Sequence, residues 1–129
     1  MIVLDTHAWL WWVSDPDRLS ESVRAAIEDE DSVGVSAVSC WEVVMLAERG
    51  RIELDRDSKR WVRSALSLDG VRSLPLGPDA AVAAGLLARE GFPGDPADGM
   101  IYATARIAGV RLATKDRALR RFDGTGTLW

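Results

Sequence analysis

The chain has 129 residues, of which 47% are hydrophobic and 28% charged, the make-up of one folded domain rather than of a disordered tail. Sixteen Lys+Arg stand against twenty Asp+Glu, a net charge of −4. That balance excludes nucleic-acid binding through a broad basic surface, so a polyanion needs a local basic patch or bound metal cations. One cysteine and one histidine exclude an intramolecular disulfide and a His/Cys structural zinc. The apolar run Ala8–Val13 is too short to span a bilayer. Met1-Ile2-Val3-Leu4-Asp5 carries no basic leader, so the expectation is a soluble, cytoplasmic protein with no membrane partner.

The predicted elements alternate along the chain. Ile2–Leu4, a short apolar run ending at Asp5, reads as a buried strand. Trp9–Val13 follows as a short helix. Ser20 is the N-cap of a helix over Glu21–Glu28, whose Val23, Ala26 and Ile27 share one face. Val33–Ser36 is the second strand, and Ser36 caps a helix over Val38–Arg49 that stops at Gly50. Lys59–Leu68 is helical, Asp69-Gly70 is a turn, and Val71–Leu74 is the third strand. A helix starting at Pro78 or Asp79 runs to Glu90, and Gly91–Pro96 is a loop. Ala97–Ala108 is helical and ends at Gly109. Val110–Thr114 is the fourth strand, Asp116–Phe122 a short helix, and Thr127–Trp129 an edge strand.

This alternation predicts an α/β fold over residues 1–129, with a central parallel sheet of about four to five strands flanked by helices. Right-handed crossovers bring the carboxyl ends of the strands to one rim, where open α/β sheets bind ligands. Four acids collect there. Asp5 ends the first strand, and Asp116 lies just past the fourth. Glu42 is one turn into a helix, between Val38 and Met45/Leu46. Asp98 is in the first turn of a helix that is apolar nearly all round. Each alone reads as a cap, a turn or a solvated residue. Together they read as ligands, because unpaired carboxylates in apolar settings are costly. An all-oxygen set suits Mg²⁺ or Mn²⁺, which activates water and neutralises charge on a phosphodiester.

Four stretches carry a family resemblance: Val3-Leu4-Asp5-Thr6-His7-Ala8-Trp9-Leu10-Trp11-Trp12, Ser36-Ala37-Val38-Ser39-Cys40-Trp41-Glu42-Val43, Gly94-Asp95-Pro96-Ala97-Asp98 with Ile101-Tyr102-Ala103-Thr104-Ala105, and Leu112-Ala113-Thr114-Lys115-Asp116. In this order and spacing they resemble the PIN-domain ribonucleases, in particular the VapC-type toxins of bacterial toxin–antitoxin modules. The resemblance implies a three-layer PIN fold and a Mg²⁺- or Mn²⁺-dependent endoribonuclease. It implies metal-binding, catalytic roles for Asp5, Glu42, Asp98 and Asp116. It also implies a homodimer, of higher order with antitoxin, and a cognate VapB-like antitoxin that blocks the site. The chain departs from the pattern at Gly99, where this subgroup usually carries an arginine that would hold a phosphate or orient a carboxylate.

Around the four acids, Asp95 reads as an auxiliary or capping residue, and Thr6 and Thr114 as hydroxyls able to orient a carboxylate. His7 reads as packing beside tryptophans rather than as a general base. Lys115 and Arg117 adjoin Asp116 and are the candidate RNA phosphate contacts. The more N-terminal basic cluster, Arg49 to Arg63, is interleaved with acids and reads as a solvated face. Cys40 reads as a buried, inert thiol. Of the six tryptophans, Trp9, Trp12 and Trp41 are expected in the core. Trp11 and Trp61 are expected to be partly exposed, with a groove for the antitoxin near Trp11 and the helix Val38–Arg49. Two other functions compete: a degenerate PIN domain that only binds RNA or a partner, which would bind no divalent cation, and a phosphoacceptor-aspartate α/β domain, which would form an aspartyl phosphate.

Overall fold

Five short strands, β1 (Ile2–Leu4), β2 (Val33–Ser36), β3 (Val71–Leu74), β4 (Leu112–Ala113) and β5 (Thr127–Leu128), form one sheet in the computed structural model, which describes residues 1–129. The spatial order is β3-β2-β1-β4-β5, and every pairing is parallel. The chain steps outward from β1 to β2 and β3, then returns to the other side of β1 for β4 and β5. That reversal leaves a crevice beyond the carboxyl ends of β1 and β4.

Seven helices cover the sheet: α1 (Thr6–Ser14), α2 (Glu21–Asp29), α3 (Ala37–Glu48), α4 (Ser58–Leu66), α5 (Pro78–Leu86), α6 (Pro96–Ile107) and α7 (Arg117–Phe122). Alternation along β1 divides the core in two. Ile2 and Leu4 join Trp9, Val23, Val43 and Trp61 on one face, while Val3 joins Leu87, Ile101, Tyr102 and Leu119 on the other. Gly34 on β2 is pinned by this packing. A Cβ there would lie 2.9 Å from Leu74 Cδ1 and 3.0 Å from Val3 Cγ2. No helix is long and apolar enough to cross a membrane.

Several boundaries differ from expectation for local reasons. Helix α1 starts at Thr6 rather than Trp9, because the Asp5 carboxylate accepts the Ala8 N–H at 2.8 Å and nucleates the first turn. The fourth strand is only two residues long. Val110 belongs to the end of α6, its N–H donating to the Ala105 carbonyl at 3.1 Å around the left-handed Gly109. The helix expected to reach Glu90 changes to a 3₁₀ turn at Leu87–Glu90. A second 3₁₀ turn, Pro16–Arg18, follows α1.

The tryptophans divide differently too. Trp61 is buried, its ring 5.1 Å from that of Trp9 in an edge-on contact. Trp41 is 57% exposed, because α3 turns Val43 to the sheet and leaves Trp41 outside. Trp12 is half-buried, and so is Cys40, whose thiol burial pushes up in pKa.

Candidate functional site

The crevice at the β1/β4 reversal is a cleft of about 490 Å³, lined by Asp5, Glu42, Asp98 and Asp116 together with Thr6, His7, Trp11, Asp95, Thr114 and Lys115. The same helix starts that build the fold position its carboxylates. Asp5 is the N-cap of α1. Asp116 is the N-cap of α7, its Oδ1 accepting from Ala118 N at 2.8 Å and Leu119 N at 3.1 Å. Asp95 caps α6 through Oδ1, which accepts the Asp98 N–H at 2.8 Å. Asp98 Oδ2 accepts the Asp95 N–H in return at 3.3 Å. This reciprocal capping box holds both side chains at the cleft.

Glu42, Asp95 and Asp98 come closest together, each offering a carboxylate oxygen within 4.8 Å of the others. Asp95, expected as an auxiliary, is therefore a member of the tight cluster, while Asp5 and Asp116 line the same cleft outside it. The Thr6 hydroxyl, buried, donates to Glu42 Oε1 and lies 3.2 Å from Ser39 Oγ. Ser39 is the residue the sequence reasoning missed. Its signal is its place one helical turn before Glu42, on the same face of α3. The Thr114 hydroxyl accepts the Asp116 N–H at 3.2 Å and also lowers the pKa of Asp5, so it links two acids.

None of these five carboxylates is paired with a lysine or arginine. Their crowding shows in their acidity. Burial, then the Asp95 charge, with smaller pushes from Glu42 and Asp5, lifts the Asp98 carboxyl to about 7. Burial also raises Asp5 above the ordinary carboxylate range, against the Thr114 hydroxyl and the Ala8 N–H. A cluster of oxygen donors whose mutual repulsion no lysine or arginine ion pair relieves fits a hard divalent cation. Glu42, Asp95 and Asp98 are the group whose carboxylates lie close enough together to share one metal ion.

The remaining candidates sit around this centre. Lys115 is on the cleft wall, whereas Arg117 is exposed on α7 and is not part of the lining. His7 is exposed rather than packed away, its ring 5.8 Å from that of Trp11. Trp11 is half-buried, with His7, Arg18, Lys115 and Trp129 around its ring. Gly99 is buried, and a Cβ there would meet Leu87 at 3.5 Å and Phe92 at 3.6 Å. Position 99 thus faces the apolar layer, and the missing arginine leaves the wall of acids intact.

The chain is similar to known proteins in both sequence and fold. The PIN domain family matches residues 2–125. The chain is 42% identical to Ribonuclease VapC22 of Mycobacterium tuberculosis over 130 aligned positions, covering 99% of this chain and 98% of that protein. Among solved structures it is similar to FitAcB from Neisseria gonorrhoeae, with 25% identity, a TM-score of 0.69 and coverage of 100% and 97%. It shares its fold with DNA-bound VapBC from Salmonella typhimurium, with 23% identity, a TM-score of 0.71 and coverage of 98% and 96%.

Proposed function

The chain belongs to the PIN domain family, and from that premise we propose that it is an endoribonuclease toxin that hydrolyses RNA phosphodiester bonds and is neutralised by a cognate antitoxin. One observation carries this reading. The sheet reversal gathers five carboxylates without a cationic partner, in a chain 42% identical along its length to a protein named as a ribonuclease.

Glu42, Asp95 and Asp98 would hold Mg²⁺ or Mn²⁺, with Asp5 and Asp116 completing the acidic wall. When bound, the ion supplies Lewis-acid polarisation of the phosphodiester and activation of the attacking water. The protein's own contribution is to fix the donors in advance. The Thr6 hydroxyl bonds Glu42 and holds that side chain against the cleft. The capping box restrains Asp95 and Asp98, and Thr114 spans Asp5 and Asp116. Lys115 on the cleft wall offers a donor to a phosphate oxygen, and Arg117 offers one further out on α7. The partners follow the same reading. Solved relatives described as toxin–antitoxin and VapBC complexes support an antitoxin, and the apolar patch around Trp41 supports a homodimer. The place of action is the cytoplasm.

The test is cleavage of RNA by the full chain with Mg²⁺. Asp5→Asn and Asp98→Asn are expected to cut the rate by about 100-fold or more. Asparagine keeps an oxygen for the cap at position 5, so the fold survives where alanine would weaken α1. Excess EDTA should abolish cleavage and added Mg²⁺ restore it. Full activity in EDTA would overturn the reading.

A further inference from the structure

Trp11 gathers two cations at the mouth of the acidic cleft. The Arg18 guanidinium carbon lies 4.6 Å from its ring centroid, and the Lys115 ammonium nitrogen 5.5 Å. The rings of His7 and Trp129 brace the indole at 5.8 and 5.7 Å. Neither cation has a carboxylate partner, in a chain where acids outnumber bases twenty to sixteen. A cation held on an aromatic face keeps its N–H donors free, whereas an ion pair would occupy them.

The position of this ridge matters as much as its chemistry. His7 and Trp11 line the acidic cleft and also a second hollow of about 410 Å³. That hollow carries Arg18 and Arg51, the latter also unpaired, and two carboxylates, Asp15 and Glu53, that pair with neither arginine. A polyanion entering the cleft meets a floor of carboxylates, so phosphates beyond the reacting one need cations outside it. Lys115 and Arg18 supply them on the path that joins the two hollows.

We propose that the Trp11 ridge is a phosphate rail, on which Lys115 and Arg18 grip the backbone of a single-stranded RNA running from the acidic cleft across His7 and Trp11 into the second hollow. The inference rests on the ribonuclease reading and extends it to the path of the substrate. Trp11 is a positioning residue, acting through the two cations it holds.

The test is binding of a fluorescein-labelled, unstructured RNA oligonucleotide to the full chain in an Asp98→Asn background with Mg²⁺, followed by fluorescence anisotropy over a salt series. Arg18→Ala and Lys115→Ala should each weaken binding several-fold and flatten the slope of log affinity against log salt by about 0.7. Arg18→Lys should keep the slope. Trp11→Leu should lose as much as both alanine variants together, while Trp11→Phe, which keeps an aromatic face, should retain most of the affinity. Arg72→Ala, exposed on β3 and away from both hollows, should change nothing. If the parent binds RNA and Arg18→Ala leaves affinity and slope unchanged, the rail is wrong and the ribonuclease reading stands. If the parent binds no RNA at any salt, both fall. If Arg18→Ala weakens capture of a glutamate-rich peptide and not of RNA, the ridge is a protein-contact surface and the rail is wrong.

Discussion

Asp98 joins the fold to the chemistry through a single carboxyl group. Its Oδ2 closes the capping box of α6, yet burial and the charge of Asp95 hold its pKa at about 7. The raised value means that the folded protein without metal favours the neutral acid. Its contribution to stability is therefore full below the usual carboxylate range near 4 and is lost as pH rises through 7. A metal-free sample should melt lower at pH 8 than at pH 5, and Mg²⁺ should restore the melting point at pH 8. Mg²⁺ affinity, followed by calorimetry, should climb with pH up to about 7 and then level off, because each ion bound below that pH displaces a proton. Asp98→Asn should remove most of both dependences. At this scale Asp5, Glu42, Asp98 and Asp116 were legible in the sequence because strand ends and first helical turns have predictable places on a parallel sheet. The membership of Asp95 was not, since an i,i+3 spacing shows a cap but not which neighbours the capping side chain meets.

Helix α6 carries the site on its first turn and packs the apolar layer with the rest of its length, and its glycines mark that division. A Cβ at Gly94, just before the helix, would lie 2.6 Å from the Phe92 ring and 2.8 Å from Asp98 Cβ. Gly94→Ala must therefore displace one or the other, at a cost of about 1–3 kcal/mol. It should lower urea stability and Mg²⁺ affinity together. Gly99 lies inside the helix, and the same atom there makes ordinary contacts at 3.5 and 3.6 Å. Gly99→Ala should stabilise the protein by about 0.5–1 kcal/mol in urea titration, with Mg²⁺ affinity unchanged. The existence and order of such elements could be read from periodicity and caps. The orientation of α3 could not, because that helix is apolar nearly all round and offers no polar face to point outward. Nothing along such a helix marks Trp41 as the residue that faces out, and Trp61, between Arg60 and Val62, shows its burial only once α4 is packed.

Across the whole molecule, the exposed Trp41 lies in an apolar hollow of about 360 Å³ with Ala37, Val38, Pro96, Ala97 and Met100. Helices α3 and α6 both contribute to it, the same two helices that carry Glu42 and Asp98. In the homodimer reading, wild type sediments at twice the mass of one chain and Trp41→Lys as a single chain with its fold retained. An unchanged mass for the variant would remove this patch from the interface. The parallel sheet is foreseeable from strand–helix alternation, whereas the strand order that puts the reversal between β1 and β4 is not, and the shortness of β4 depends on where the α6 cap ends. The sheet also has an electrical consequence. Helices α1, α3 and α7 leave the carboxyl ends of β1, β2 and β4, and α6 begins at the same cleft. Each N-terminus presents a partial positive charge to that rim, behind the carboxylates. An approaching nucleic acid therefore meets a rim whose negative charge the backbone offsets in part, even before any ion arrives.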